Sequence, residues 1–225
     1  MAREQELQVC ELFYSIQGES TFAGLPCVFV RLAGCNLRCT YCDASYSYLE
    51  TARPLAVDEI LAYVAGYPEA LVELTGGEPL LQEGSHRLLD DLLRRGRTVL
   101  VETNGSQPIA AIPAAVHVIV DVKCPASGMA HSWLPDNLAA IRQRARQRPG
   151  SSEVKFVISD LDDYLFARDF VRSHDLAAYA PILFSPVRER ISPRQLAEAI
   201  LADRLPVRLQ LQLHTLIWPD SPGGV

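Results

Sequence analysis

The sequence predicts an α/β protein on a mostly parallel sheet, in the form of an open or partial (β/α) barrel. Three observations carry that expectation. Short apolar segments rich in Val, Ile and Phe alternate with segments whose apolar residues recur at helical spacing. Strands joined by helical crossovers pair in parallel. Polar and glycine-rich residues gather at the carboxyl ends of the strands, where parallel α/β folds bind ligands, and the strands are too few for eight complete units.

In order, "LQVCELFYS" opens as an extended segment, and "PCVFVRLAG" at 26–34, between a proline and a glycine, reads as a strand leading into a cysteine loop. "VDEILAYVAGY" at 57–67 has helical spacing, and "ALVELTGGEP" runs as a strand into a glycine pair. A helix near 85–95, strands "RTVLVETNG" and "VHVIVDVK", and a helix near 136–147 follow. The remainder repeats the alternation: "EVKFVIS", a helix over 161–174, "PILFSP", a helix over 193–204, and the strand "VRLQLQLH". The loops "GCNLRC", "TGGEP", "ETNG", "DVKCPASG" and "QLHTLIW" are expected to line one cavity.

A chain of 225 residues fits a single domain over 1–225, with an N-terminal segment about 1–25, a cysteine loop at 35–48 and a C-terminal strand and tail at 206–225. The formal charge of -6 argues against a polyanion bound over a broad surface, so a small-molecule partner is expected and nucleic acid is not. The basic run "RQRARQRPG" at 142–150 reads as the solvated face and frayed end of a helix. No apolar run reaches the roughly 18 residues of a spanning helix, and "MAREQELQVCELF" carries no leader pattern, so the expected location is cytoplasmic, away from membranes.

Six cysteines in such a chain suit metal binding better than a disulfide framework. Cys10, Cys27 and Cys124 read as small buried hydrophobes. Cys35, Cys39 and Cys42 are a different matter, standing CxxxCxxC on the loop after the first core strand. Thiolates select zinc or iron–sulfur clusters. Structural zinc takes four closed ligands and no second pair follows, so the trio implies a distant fourth ligand, with Cys27 or Cys10 as candidates, or a cluster with one iron open.

CxxxCxxC with Tyr41 before its last cysteine, followed by the "TGGEP" of residues 75–79, resembles the radical S-adenosylmethionine superfamily. The resemblance implies a [4Fe–4S] cluster on Cys35, Cys39 and Cys42, its open iron chelated by S-adenosylmethionine, and a partial barrel of that superfamily's type. "FYSIQGEST", "FVRLAGCNLRC", "LTGGEPLLQ", "VETNG" and "LQLQLHTLIWP", in this order over nearly the whole chain, resemble the 7-carboxy-7-deazaguanine synthase family of queuosine and other 7-deazapurine biosynthesis. That likeness implies a lyase that contracts 6-carboxy-5,6,7,8-tetrahydropterin with loss of ammonia and reuses its S-adenosylmethionine.

The resemblance assigns Gly76, Gly77 and Glu78 to S-adenosylmethionine, and Tyr41 and Ser45 stand near enough in sequence to join them. Thr103 and Asn104 close the third loop and Lys123 with Ser127 the fourth, so they are expected to face the same cavity, with plain loop capping the alternative for each. For the pterin, Gln17 and Glu19 offer an acceptor and donor set that suits its amino-pyrimidinone edge, against the alternative of a surface turn, with Thr75 and Gly77 alongside; His214, which by itself reads as structural, is added by the family motif. Arg31, a cation in an otherwise apolar strand, is the candidate for the substrate carboxylate, against the bland alternative of a strand-end ion pair. The family often has Thr after Cys-Asp, touching a magnesium ion. Here Ala44 follows Cys42 and Asp43, which leaves Ser45, Asp43 or water for Mg2+ and predicts a weak or altered magnesium dependence. A flavodoxin or ferredoxin-type reductant and a homodimer are implied as well. The competing readings are a glycyl-radical activase and a non-enzymatic iron–sulfur or zinc protein.

Overall fold

The structure is a computed structural model that describes residues 6–49 and 52–219. The first five residues of the expected N-terminal segment and the last six of the expected tail lie outside the described residues. Among the described residues nine strands form one open sheet. β1 (Glu6–Ile16) and β2 (Pro26–Leu32) make an antiparallel pair, and α1 (Tyr46–Leu49) and the short edge strand β3 (Arg53–Ala56) precede α2 (Val57–Ala65). Then follow β4 (Leu71–Gly76), α3 (Gly84–Arg94), β5 (Val99–Thr103), β6 (His117–Asp121), α4 (Asp136–Gln147), β7 (Ser152–Ile158) and α5 (Leu161–His174). β8 (Ile182–Pro186), α6 (Pro193–Asp203), β9 (Arg208–Leu209) and α7 (His214–Ile217) are the last of the described elements.

The sheet order is β3-β1-β2-β4-β5-β6-β7-β8-β9, parallel from β2 to β9. β3 and β9 stay at opposite edges, so the barrel is open, as expected. β3 and the antiparallel run of β1 along both β2 and β3 were not anticipated. Helix ends follow local chemistry: Ser192 and Gln195 form a capping box on α6 with Pro193 in its first turn, and Asp160 accepts from the Asp163 N–H at 2.8 Å to start α5.

Alternation along the strands sends one set of side chains to each face. Val28, Val30, Leu32, Val72, Leu74, Val118, Val120, Val154 and Phe156 pack with helix residues such as Ile60, Leu88, Ile141, Ala167 and Leu196 in the main core. The other set forms a smaller apolar layer of Cys27, Phe29, Leu71, Leu100 and Ile119, against which Phe13 and Phe22 rest. Past that layer, toward the carboxyl ends, the same face turns polar.

Two expectations are corrected here. "VRLQLQLH" is a strand only at Arg208–Leu209; after Gln210 donates to the Phe184 carbonyl at 2.9 Å the chain leaves the sheet, and His214 begins α7. An edge segment has one pairing partner at most, and Leu213 donates instead to the Gly18 carbonyl at 3.0 Å. The basic run is not a solvated face throughout. Arg144, buried at 4 % exposure, donates to the carbonyls of Ile112, Pro113, Val116 and Ser151, while Arg142 and Arg148 donate to His174 and Ala115. These guanidiniums close loop ends. Among the described residues no helix is long and apolar enough to cross a membrane.

Candidate active site

The carboxyl ends of the parallel strands and the loops that follow them enclose a cavity of about 430 Å³, within the range that holds small ligands. At one end stands the cysteine loop. Cys35, Cys39 and Cys42, all half-buried, line the cavity, as does Tyr41, whose hydroxyl donates to the Val157 carbonyl at 3.2 Å. The loop is fastened from several sides. Thr40 donates through its N–H to Ser127 O (3.1 Å) and through Oγ1 to Ala126 O (2.7 Å), and Gly34 N–H donates to Ser47 O (2.9 Å). Leu37 N–H approaches the Cys35 sulfur at 3.4 Å.

β4 passes flush against the start of this loop, and here glycine is required. Gly76 has φ +140° with the Leu32 backbone against its α-carbon, and a Cβ on Gly77 would overlap the Gly34 carbonyl. Glu78 N–H donates to Gly34 O at 2.8 Å, closing the contact. Gly76, Gly77, Thr75, Thr103, Asn104 and Lys123 all line the cavity, as expected.

Three residues expected at the cofactor are not on the cavity wall. Glu78 is wholly buried and its carboxylate accepts from Thr103 Oγ1 (2.9 Å), Asn104 N–H (2.7 Å) and Leu80 N–H (3.0 Å), so it braces the loop after β5. Ser127, wholly buried, donates to Cys124 O at 2.6 Å and caps its own turn. Ser45 is not on the cavity wall; the loop's tight turn presents Asp43, Ala44, Tyr46, Ser47 and Tyr48 instead. Cys27, the proposed fourth ligand, sits in the apolar layer at the opposite end of β2, about 16 Å from that strand's carboxyl end at about 3.3 Å per residue. Burial pushes its thiol far up.

The floor of the cavity is the polar half of the inner face, and it is rich in charge. Lys155 on β7 donates to Glu19 at 2.7 Å and to Glu102 on β5, and lies 3.9 Å from Asp121 on β6. Lys123 pairs with Asp121 at 2.5 Å. Gln17 donates through Nε2 to the buried Glu73 on β4 and accepts through Oε1 from Glu19 N–H at 2.9 Å. Burial works against charge on Lys155, but Asp121, Glu102 and Glu19 outweigh it and hold the ammonium. Burial, with the nearby charges of Glu102 and Glu19, raises Glu73 well above the carboxylate range, and burial also raises Glu102. The chain has two lysines among its 225 residues, and both lie here as cations.

Arg31 lines the cavity with its guanidinium 5.9 Å from the Phe13 ring and 5.7 Å from the Tyr46 ring, and its Nε donates to Glu11 Oε2 at 2.9 Å. The ion pair weighed as the alternative is therefore present, in a residue that still faces the cavity. His214 reaches the cavity from the first turn of α7 and packs so closely on Gly18 that a Cβ there would come within 2.7 Å of its Nδ1. Gln212, not anticipated, donates to Glu19 Oε1 (2.9 Å) and Asp43 Oδ2 (3.2 Å).

Glu73, Glu102, Asp121 and Lys155 were also missed, although the signal that picked out Arg31 was available for each. Glu73, Glu102 and Asp121 are single acids in otherwise apolar strands, "LVELTG", "VLVET" and "HVIVD", and Lys155 shares the largely apolar "SEVKFVI" with Glu153.

Among the described residues no three His, Cys, Asp or Glu side chains converge on a point where a single ion could sit. The three thiols share one cavity, and thiolates are the donors an iron–sulfur cluster takes. Gly76, which ends β4, and Gly77 line the same cavity beside them. The residues present therefore fit a cluster and its cofactor.

The comparisons agree. A model of the Radical SAM superfamily matches residues 30–124. The 7-carboxy-7-deazaguanine synthase of Chlorobaculum tepidum is 46% identical over 224 residues, covering 99% of this chain and 100% of the relative. That of Koribacter versatilis is 43% identical over 234 residues, covering 97% and 100%. Among solved structures, QueE from Escherichia coli superposes with a TM-score of 0.74 at 23% identity, covering 92% of this chain and 94% of that one, a likeness of fold. The readings as a glycyl-radical activase or a small metal scaffold are set aside in favour of this whole-length match. The superfamily implies a [4Fe–4S] cluster and S-adenosylmethionine, and with relatives this similar along its full length the chain belongs to the 7-carboxy-7-deazaguanine synthase family of radical SAM lyases.

Proposed function

We propose that this chain contracts 6-carboxy-5,6,7,8-tetrahydropterin to 7-carboxy-7-deazaguanine with release of ammonia, in the cavity described above. The observation that carries the reading is that three thiols and a set of buried acids line one small-molecule cavity. Bound at the thiol wall, the cluster and S-adenosylmethionine supply radical chemistry, with the cofactor restored after each turnover.

Cys35, Cys39 and Cys42 hold the cluster, while Tyr41, Gly76, Gly77, Thr103, Asn104 and Lys123 shape the cofactor site. Glu19, aimed by Lys155 and Gln212, accepts from the amino and ring N–H groups of the pterin, and Gln17 is braced against Glu73 beside it. Arg31, steadied by Glu11 and two aromatic rings, takes the substrate carboxylate with its outer nitrogens. Thr75 and His214 complete the wall.

We read the chain as one domain that acts as a homodimer in the cytoplasm. Its reductant is a flavodoxin or ferredoxin-type carrier, and Arg38, over the Tyr48 ring at 4.2 Å, and Arg190, over Tyr41 at 5.5 Å, give the exposed side of the cysteine loop a positive edge for such an acidic partner. Magnesium has lost a hydroxyl ligand at Ala44, and Ser45 does not replace it on the cavity wall. Chelator therefore leaves most of the activity, and a sharp loss restored by Mg2+ refutes this point.

The test of the function is an anaerobic assay of cluster-reconstituted protein with dithionite, S-adenosylmethionine and the pterin. Deazaguanine product in large excess over cofactor lost is expected. Cofactor cleavage without product refutes the substrate.

A further inference from the structure

A buried acid–base pair outside the cavity is unexplained by the reaction. Glu153 on β7 is 0 % exposed and His117 on β6 is 8 % exposed, with Glu153 Oε1 2.9 Å from His117 Nε2, and neither lines the cavity. The remaining donors to Glu153 come from one residue of the β1–β2 connection. Thr21 gives its N–H to both carboxylate oxygens at 3.0 and 3.2 Å, and its hydroxyl to Oε1. Phe22, the next residue, sets its ring edgewise on His117 at 4.9 Å.

That connection also carries Gln17 and Glu19. Its ends are tied by Gln17 N–H to Leu25 O and Gly24 N–H to Gln17 O, both 2.8 Å, and Ser20 within it is held at φ +63°. Three alternate residues hook onto the inner face of the sheet: Gln17 on Glu73 of β4, Glu19 on Lys155 of β7, and Thr21 on Glu153 of β7. The first two hooks lie in the cavity and the third lies outside it. An apolar pair could fill the place of Glu153 and His117 at no loss of stability. A carboxylate that takes three donors from two elements instead fixes one arrangement of the segment.

We propose that Glu153 and His117 are positioning residues: they clamp Thr21 and thereby hold Gln17 and Glu19 in register for the amino-pyrimidinone edge of the substrate. This rests on the reaction proposed above and adds to it the device that sets substrate affinity. Because Glu153 and Thr21 touch no reacting atom, loosening the clamp weakens binding and leaves the chemistry of bound substrate intact.

Thr21 is exposed, so its substitution does not threaten folding. Thr21→Val is expected to raise the KM for the pterin about tenfold with kcat within about twofold, and Thr21→Ser to restore it. Amide exchange over residues 17–25 of the substrate-free protein accelerates in Thr21→Val and returns in Thr21→Ser. Glu153→Gln, confirmed folded by its melting curve, gives the same KM-against-kcat split. Unchanged exchange in Thr21→Val, or a fall in kcat at constant KM, overturns the proposal. Exchange is read without substrate, so a wild-type chain that fails to turn over the pterin would refute the reaction while the clamp is still judged on exchange.

Discussion

The two faces of the same strands follow opposite rules. On the helix-covered face, Val72, Leu74, Val118, Val120, Val154 and Phe156 pack into the main apolar core. On the other face the interleaved positions toward the strand ends include Glu73, Thr75, Asp121 and Lys155. Neighbouring residues on one strand therefore serve unrelated ends. One face obtains its stability from burial that has no direction, and the other obtains selectivity from directed contacts that cost desolvation. Substitutions should divide the two cleanly.

The largest effect is expected at the thiol wall. Cys39→Ala removes one of the three thiols, and turnover and bound iron are expected to be lost while the melting temperature of the iron-free protein scarcely moves, because the loop is half-buried. Iron analysis beside calorimetry checks it. A cluster retained at full iron would move the ligand set elsewhere.

Lys155→Met comes next, since it leaves Glu19, Glu102 and Asp121 without their common cation. Removing one partner of a buried charge network costs about 3–5 kcal/mol. Here part of that loss should appear as a fall in kcat/KM of roughly 100-fold, with KM rising, since Glu19 loses its orientation. Denaturant titration and steady-state kinetics on the same preparation divide the two parts. A stability loss with normal kinetics would make Lys155 a purely structural cation.

Phe156→Ala tests the other face. A fully buried phenylalanine in contact with Phe170 and Phe184 should cost about 3–5 kcal/mol on truncation, with KM for the pterin unchanged at temperatures where the variant stays folded. A raised KM would show that the two faces are coupled.

The smallest effect is at Glu73. Its carboxyl binds its proton more tightly in the folded chain than in the unfolded one. Its contribution to stability is therefore complete in acid, below the ordinary carboxylate value near about pH 4, and is lost as pH rises through the raised folded value. Glu73→Gln keeps the neutral form at every pH. Melting of this variant should match the parent in acid and exceed it increasingly toward alkaline pH. A gap that is constant with pH would place the carboxyl's charge elsewhere.

Both the fold and the site were legible to different depths. The alternating segments gave the order of strands and helices because period-2 and period-3.6 burial leave marks in a linear string. β3 left none, since four residues pairing at an edge need no apolar face of their own. "LQLQLH" left a false mark. Its alternation places Gln210 and Gln212 by hydrogen bonds at Ser185 and Glu19 without a sheet to sit in.

By itself the sequence determined the three thiols, the glycine edge, the open parallel sheet and the family, because each is a local pattern whose spacing carries the chemistry. Only the tertiary structure decided which polar residues share a site. Glu73, Glu102, Asp121 and Lys155 are spread over 83 positions of the chain and meet because four neighbouring strands stand in parallel register. It also turned Glu78 and Ser127 away from the cavity and bound Thr21 to Glu153 across 132 residues. Spacing along a chain records what is near in sequence. Charge pairing across a sheet depends on register, which is set by the burial of all the strands together.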